Sequence, residues 1–261
     1  MIAGTSPVGA TMDADLDDLH LAQVLAGSTA EFLEELRADS AGLEPAALGA
    51  RALQRAGAFL AAQLIARCPM DSVLSGVHAG AFDPRAQRRW LIGALDGVPE
   101  YAAGRRDWGV GVALVVGGTT TAAAVALPGL DLVLSNDSPT PPYPGEAQRR
   151  LVVERGTSTA LVEAVASAIG GRTVQAGSVA YRTAAVVRGE ADAHLHLGRL
   201  PVWDVAAPVA IARAAGLHAS RMDGSEVRLD RADHLVPDLL ICRKELAPDL
   251  LRIVRAMPLT G

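Results

Sequence analysis

Residues 88–114, RRWLIGALDGVPEYAAGRRDWGVGVAL, contain an apolar strand that runs into a tight turn, then a second apolar run. The turn holds a single carboxylate, Asp96, directly before Gly97. A carboxylate at the end of a strand is well placed to bind a divalent cation. A metal-binding turn of this kind needs a second carboxylate three residues earlier, and the chain has Gly93 there. The stretch therefore predicts the outline of a metal site but lacks one of its ligands.

Hydrophobic periodicity on either side of this stretch predicts the neighbouring elements. Two helices are expected over about 16–36 and 48–66, because apolar residues recur there with a helical period. The pair Gly117 and Gly118 predicts a hairpin, since both residues tolerate a positive φ. Short apolar runs predict strands over 72–75, 89–93, 108–116 and 120–127.

A proline-rich segment, residues 137–149, marks the clearest boundary in the chain. Beyond it, strand and helix patterns alternate up to the C-terminus. We therefore expect two α/β halves, residues 12–136 and 150–261, that meet at a cleft. Clefts between such halves are common places for ligands.

Composition excludes several classes of partner. The net charge of -5 gives no electrostatic footprint for nucleic acid or for an anionic membrane. No apolar run reaches the length of a membrane span. Cys68 and Cys242 form no disulfide framework and are expected to be reduced. These features predict a cytoplasmic protein that binds a small molecule.

Common catalytic motifs give little further guidance. The chain has no nucleophile elbow, phosphate-binding Walker loop, dinucleotide fingerprint or C-x-x-C pair. His194 and His196 lie on the same side of a predicted strand and could together bind zinc. Without a third ligand nearby, they are more typical of ordinary polar strand residues.

Three blocks in the second half point to a known family: GSVAYRTAAVVRGEADAHLHLG (177–198), VWDVAAPVAIARAAGLHASRMDGS (202–225) and VPDLLICRKELAPDLL (236–251). They resemble the inositol-monophosphatase-like superfamily and, within it, the bacterial 3'(2'),5'-bisphosphate nucleotidases. The resemblance covers about residues 48–256. It implies an α/β (α+β) fold, the layered αβαβα sandwich of these phosphatases. It also implies two or three Mg²⁺ ions, held by clustered carboxylates, that act on a phosphate ester.

The resemblance aligns the family's metal-ligand positions with residues of this chain, and most of these residues are not carboxylates. The motif D-P-[IL]-D-G-T falls on residues 93–98, so its first aspartate is Gly93 and its threonine is Val98. A further aspartate falls at about Leu53. The paired glutamates fall on Gly76 and Val77. Two ligands remain, Asp96 and the aspartate of the W-D motif, Asp204.

The predicted site follows from this placement. Asp96 and Asp204 are the expected catalytic and residual metal-binding residues, with weak Mg²⁺ binding if any, and we expect that no cofactor is required. The residues expected to contact a substrate are Gly97, Val98, Gly177, Ser178 and Arg182. Arg105 and Arg106 could add positive charge, although each is more typical of a solvated surface.

Three hypotheses about function stay open at this point. The protein could be a non-hydrolytic relative that binds a phosphorylated nucleotide, as a sensor or as a subunit of a partner. It could instead carry metal-independent chemistry in the emptied cleft. The alternative is a weak Mg²⁺-dependent phosphatase acting on phosphoadenosine phosphate or a related phosphate monoester. A homodimer is compatible with each of them.

Overall fold

Two long helices cover one face of the N-terminal sheet in the computed structural model, which describes residues 17–77, 83, 85–139, 148–231 and 233–257. Helix α1 (Asp18–Asp39) begins at Asp17, whose side chain accepts a hydrogen bond from the His20 N–H at 2.8 Å. Helix α2 (Pro45–Arg67) starts on a proline, which needs no amide partner there. Both helices lie close to their predicted ranges because their apolar positions form one buried stripe each.

The first sheet has five strands in sequence order: β1 (Ser72–Ser75), β2 (Arg88–Asp96), β3 (Gly109–Val116), β4 (Thr119–Leu127) and β5 (Leu132–Ser135). Strands β1 and β2 are parallel, and the other neighbours are antiparallel. Gly117 and Gly118 form the β3–β4 turn with φ values of 57° and 89°, as the hairpin prediction requires. Alternate side chains face opposite sides, so Trp90 and Ile92 pack with α1 and α2 while Leu91 packs on the other face.

The remaining helices and strands, in chain order, are α3 (Val98–Ala102), β6 (Arg149–Glu154), α4 (Ala160–Ala168), β7 (Gly171–Ala176), α5 (Val179–Val187), β8 (Ala193–His196), β9 (Leu200–Pro201), α6 (Val202–Ala214), β10 (His218–Ser220), β11 (Leu235–Val236), β12 (Leu239–Cys242) and α7 (Ala247–Ala256). The second sheet has the strand order β10–β12–β8–β6–β7 and mixes parallel with antiparallel pairs. Strands β9 and β11 form a separate antiparallel pair.

Helices α5 and α6 lie between the two sheets, while α4 and α7 cover the outer face of the second sheet. The central core joins Leu91 of β2 and Val205 of α6 to Val152 and Ile241 of the second sheet. The layers are therefore helix, sheet, helix, sheet and helix. This arrangement confirms the predicted αβαβα sandwich.

Some sequence predictions fall partly outside the described residues. These include residues 1–16, much of the proline-rich linker (140–147) and the last four residues. The division into halves at 12–136 and 150–261 stays a prediction. Among the described residues, no helix combines the length and apolar character that crossing a membrane requires.

Candidate functional site

Asp96 lies at the end of β2, where the pairing with β3 shifts register after Gly93. Its Oδ2 accepts a hydrogen bond of 2.8 Å from the Ala180 N–H, in the first turn of α5. Burial raises the pKa of Asp96 to about 6, and the amide of Ala180 and the charge of Arg182 only partly offset this effect. Asp96 therefore links the sheet to α5 and is buried beneath the start of that helix.

The turn after Asp96 brings two predicted substrate-contacting residues together. Gly97 has a φ of 90°, which favours glycine, and it precedes the short helix α3 that starts at Val98. A Cβ atom added at Gly97 would lie 3.2 Å from the Cβ of Ser178. The start of α3 and the start of α5 are therefore in direct contact.

Asp204 lies in the first turn of α6 and points at the strand that carries Asp96. A Cβ added at Gly93 would lie 2.7 Å from Asp204 Oδ1 and 3.0 Å from the Trp203 carbonyl oxygen. Burial and, after it, the charge of Asp96 raise the pKa of Asp204 well above its ordinary value. The structure thus brings the two predicted carboxylates into one site, with Asp204 packed against Gly93.

The positions that correspond to the paired glutamates also face other parts of the protein. A Cβ at Gly76 would lie 3.2 Å from the indole ring of Trp203. The side chain of Val77 packs against Gly57 of α2. The first turn of α6 therefore lies against Gly93, and its Trp203 ring approaches Gly76, which remains exposed. A side chain introduced at Gly93 would collide with this turn.

The backbone amides at the start of α5 already have partners within the protein. The Gly177 N–H donates to Asp107 Oδ2 at 2.7 Å, and the Ser178 N–H donates to the Asp107 carbonyl at 2.9 Å. Ser178 caps the helix, its Oγ accepting from the Tyr181 N–H at 3.0 Å. A side chain at Gly177 would collide with Glu100 and the Asp107 carbonyl. An anion binding here must displace one of these acceptors or share its donor.

Arg182 is buried, and its guanidinium contacts both histidines of the H-x-H pattern. Its Nε donates to His194 Nε2 at 3.0 Å, and its Nη2 lies 3.2 Å from His196 Nδ1. Its Nη1 donates to the carbonyls of Ala176 and Gly177. Arg182 therefore holds the loop before α5 in place, and its predicted contact with a ligand stays a prediction.

The same network explains the state of the two histidines. Burial, followed by the charge of Arg182, lowers the pKa of His196 to about 4 and that of His194 well below its ordinary value. Both rings are therefore neutral at neutral pH. Because they face Arg182, they are structural partners of a cation, as expected for polar strand residues.

Sequence analysis missed a set of charged residues that joins the two halves beside the site. Arg155 pairs with Asp107 and lies 3.7 Å from Glu100 Oε1. Arg105 lies 3.8 Å from the same carboxylate oxygen, and both Arg105 and Arg106 are exposed. Only the position of Asp107 within the RRDWG stretch hinted at this set, because its partners lie far away in the sequence.

The donor set determines which metal site fits. Across the described ranges, no group of three or more His, Cys, Asp or Glu side chains could hold a metal ion. Asp96 and Asp204 alone fit one Mg²⁺ ion, which commonly keeps several waters and is held by one or two carboxylates together with substrate phosphates. They do not supply the ligands of a bridged pair of ions.

Comparison with known proteins extends these observations. The model of the inositol monophosphatase family matches residues 20–258. The chain is 37% identical over 257 residues to the 3'-phosphoadenosine 5'-phosphate phosphatase of Mycobacterium leprae, covering 93% of this chain and 95% of that protein. It is 36% identical over 235 residues to the protein of the same name from Mycobacterium bovis, covering 85% and 87%.

Solved structures support the fold. Staphylococcal IMPase-II superposes with a TM-score of 0.76 at 15% identity, covering 92% of this chain and 97% of that one. The 2'AMP-bound form of the Staphylococcus enzyme gives a TM-score of 0.74 at 16% identity, covering 90% and 96%.

The match to this family corrects one prediction. The expectation that no cofactor is required is wrong, because the family and its bisphosphate nucleotidase members are Mg²⁺-dependent phosphatases. The missing ligands had suggested a site independent of metal. Two carboxylates that face a phosphate still need a counter-ion, since like charges at short range repel strongly.

Proposed function

The chain belongs to the inositol monophosphatase family, and we propose that it binds 3'-phosphoadenosine 5'-phosphate, or a related phosphorylated nucleotide, together with Mg²⁺ beside Asp96 and Asp204. We further propose that it hydrolyses this nucleotide far more slowly than relatives with a full set of metal ligands. The observation that carries the proposal is the meeting of Asp96 and Asp204 next to Gly93, which offers no side chain as a further ligand.

Two findings support a nucleotide as the ligand. Relatives that cover most of the chain are named as phosphatases of 3'-phosphoadenosine 5'-phosphate. A structural neighbour with the same fold is described with 2'AMP bound. The sequence blocks that carry the resemblance, residues 177–198 and 202–225, build α5 and α6, and these helices begin at the site.

Different residues of this chain would bind the metal ion and position the helix that lies beside the ligand. When bound, Mg²⁺ supplies positive charge to phosphate oxygens, and Asp96 and Asp204 are the residues that would hold it. The turn at Gly97 packs directly against Ser178, and Asp107 with Arg182 fixes the loop before α5. These contacts orient the start of α5 toward Asp96. A phosphate bound beside Asp96 and Asp204 would therefore lie next to the first turn of α5.

Slow hydrolysis follows from what the site lacks. Gly76, Val77 and Gly93 carry no carboxylate to hold a second ion or to position an attacking water. Loss of one essential group from a catalytic unit commonly costs several orders of magnitude in rate, and further losses do not simply add. Binding of the nucleotide depends on fewer of these groups, so it can persist when turnover is low.

Calorimetry with 3'-phosphoadenosine 5'-phosphate tests the binding proposal. We expect saturable binding in Mg²⁺ and clear weakening in the Asp204→Asn variant, which keeps the shape of the side chain but not its charge. Asp249→Asn, at an exposed position on α7, is the matched control and should bind as the unmodified protein does. Binding that Asp204→Asn leaves unchanged, or no binding at all, would refute the proposal.

A further inference from the structure

A cavity of about 620 Å³ lies away from the carboxylate site. Its walls include Arg89 near the start of β2, the β3–β4 turn, and the last turns of α6. Asp96 is at the other end of β2, seven residues from Arg89, which corresponds to roughly 23 Å along an extended strand. This cavity is therefore separate from the site proposed for the nucleotide.

The walls of this cavity are basic in a chain that is acidic as a whole. Among the described lining residues, the carboxylates are Glu226 and Asp230, whereas the chain's net charge is -5. Outside the lining, Asp223 and Asp238 pair with Arg221, and Asp233 pairs with Arg231. Five arginines line the same walls: Arg89, Arg213, Arg221, Arg228 and Arg231. Four of them pair with carboxylates, so the positive charge that could attract an anion here is mainly that of Arg89.

Two of these arginines offer donors that the protein leaves unused. Arg228 is neutralised by Asp230 at 2.8 Å, and Arg213 lies 3.6 Å from Glu226. The side chain of Arg89, in contrast, has no ion pair or hydrogen bond with any other described residue, although its charge acts on Asp230. The Nε of Arg221 is buried and has no partner among the described residues, although its Nη1 lies 2.9 Å from Asp223 Oδ2 and its Nη2 lies 3.2 Å from Asp238 Oδ2. A buried donor without an acceptor is costly, so a bound anion would stabilise it.

The rest of the cavity wall suits the non-phosphate part of an organic ligand. Apolar side chains line it, among them Val209, Val227, Leu229 and Val236. The hydroxyl groups of Thr119 and Thr120 add polar atoms at the hairpin. A volume of this size is typical of sites for small organic molecules, which combine an apolar lining with a few polar groups. A bare inorganic ion would leave most of it unfilled.

We propose that this cavity binds a small organic phosphate of about nucleoside-monophosphate size. Its phosphate pairs with Arg89 and accepts a hydrogen bond from the Nε of Arg221, while its body packs against the apolar wall. Arginine is well suited to this role because its planar donors match the geometry of phosphate oxygens. This site does not include Asp96 or Asp204, and it can be tested independently of the proposed function.

Photolabelling with 8-azido-AMP in EDTA, followed by peptide mapping, tests this inference. We expect labelled peptides from the cavity walls, residues 118–120 or 221–231, with labelling reduced by inorganic phosphate. Arg89→Gln should weaken this labelling by about tenfold, the effect of losing one charged hydrogen bond. Arg55→Gln, an exposed arginine on α2, is the matched control and should label like the unmodified protein.

The position of the label separates this inference from the proposed function. Labelling near Asp96, Ser178 or Asp204, with none at the cavity, overturns the second site and supports only the first. Cavity labelling that Arg89→Gln leaves unchanged also overturns it, because the anion would then bind without the free arginine.

Discussion

Gly93 determines how closely α6 approaches the first sheet at the site. Without a Cβ atom at this position, the first turn of α6 approaches β2 closely enough for Asp204 to occupy the space. The ring of Trp203 approaches Gly76 less closely, at 3.2 Å from an added Cβ, and Gly76 remains exposed. A carboxylate introduced at Gly93 would therefore require α6 to move, and this single substitution should not create a family-type metal site.

The crowding at Gly93 can be measured with an alanine pair. We expect Gly93→Ala to lower the free energy of unfolding by about 1–3 kcal/mol, as overpacking commonly does. Gly111 is its partner across the β2–β3 pair, and a Cβ there would lie 3.7 Å from its nearest neighbour. Gly111→Ala is thus the control and should be neutral or slightly stabilising in urea denaturation. Equal effects of the two changes would contradict the close approach of α6.

The buried His196 should make the fold sensitive to acid. Its pKa is lowered to about 4 in the folded protein, mainly by burial and then by Arg182. The ordinary value near 6.5 applies to the unfolded chain, so the unfolded chain binds more protons between these values. Its contribution to stability is therefore complete above about pH 6.5 and is lost as the pH falls toward about 4. The Glu154 carboxylate is 3.5 Å away but 53% exposed, so water screens it.

Urea denaturation across this pH range checks the effect. We expect His196→Gln, whose side-chain oxygen can still accept from Arg182, to lose less stability on acidification than the unmodified protein. Asp96 acts in the opposite direction because its pKa is raised, so the difference between the two proteins is the informative quantity. An identical decline in both proteins would show that His196 is not held neutral.

At the scale of elements, the start of α5 depends on a residue from the other half of the chain. Asp107 accepts hydrogen bonds from the amides of Gly177 and Ser178 and pairs with Arg155. Helix α5 carries the Ala180 amide that holds Asp96. Asp107 therefore positions the helix without itself lying in the reacting centre.

Two substitutions at Asp107 separate its roles. We expect Asp107→Ala to reduce stability by about 1–3 kcal/mol, because the Gly177 amide loses its acceptor. Asp107→Asn keeps an oxygen for this amide and loses only a partly exposed ion pair, so it should cost about 1 kcal/mol or less. Chemical denaturation measures both. If Asp107→Asn is as damaging as Asp107→Ala, the ion pair rather than the amide contact dominates.

Sequence patterns predicted elements better than they predicted the contacts between them. Periodicity located α1, α2 and the strands on either side of Gly117 and Gly118 because those signals are local. The short strand β10 and the helix α3 were not predicted, since three and five residues carry no readable period. The meeting of Asp96 with Asp204 followed from the resemblance, whereas Glu100, Asp107 and Arg155 are joined only by folding.

For the molecule as a whole, the site lies where both sheets and both central helices converge. Asp96 comes from the first sheet, Asp204 from α6, and the loop before α5 leads out of β7 in the second sheet. A ligand bound there should hold these layers together. We therefore expect 3'-phosphoadenosine 5'-phosphate with Mg²⁺ to raise the melting temperature. A concentration a hundredfold above the dissociation constant adds about 2.7 kcal/mol. Inositol monophosphate is the comparison ligand, and an equal shift with it would contradict nucleotide selectivity.

The rate of phosphate release from 3'-phosphoadenosine 5'-phosphate is the most direct test of the proposed slow hydrolysis. It should be measured with saturating Mg²⁺, side by side with the Mycobacterium leprae phosphatase that is 37% identical to this chain. Because Gly76, Val77 and Gly93 carry no carboxylate that could bind a second metal ion, we predict turnover slower by roughly a thousandfold or more, with nucleotide binding retained. Turnover within about tenfold of the relative would contradict the account and would mean that Asp96 and Asp204 suffice for catalysis.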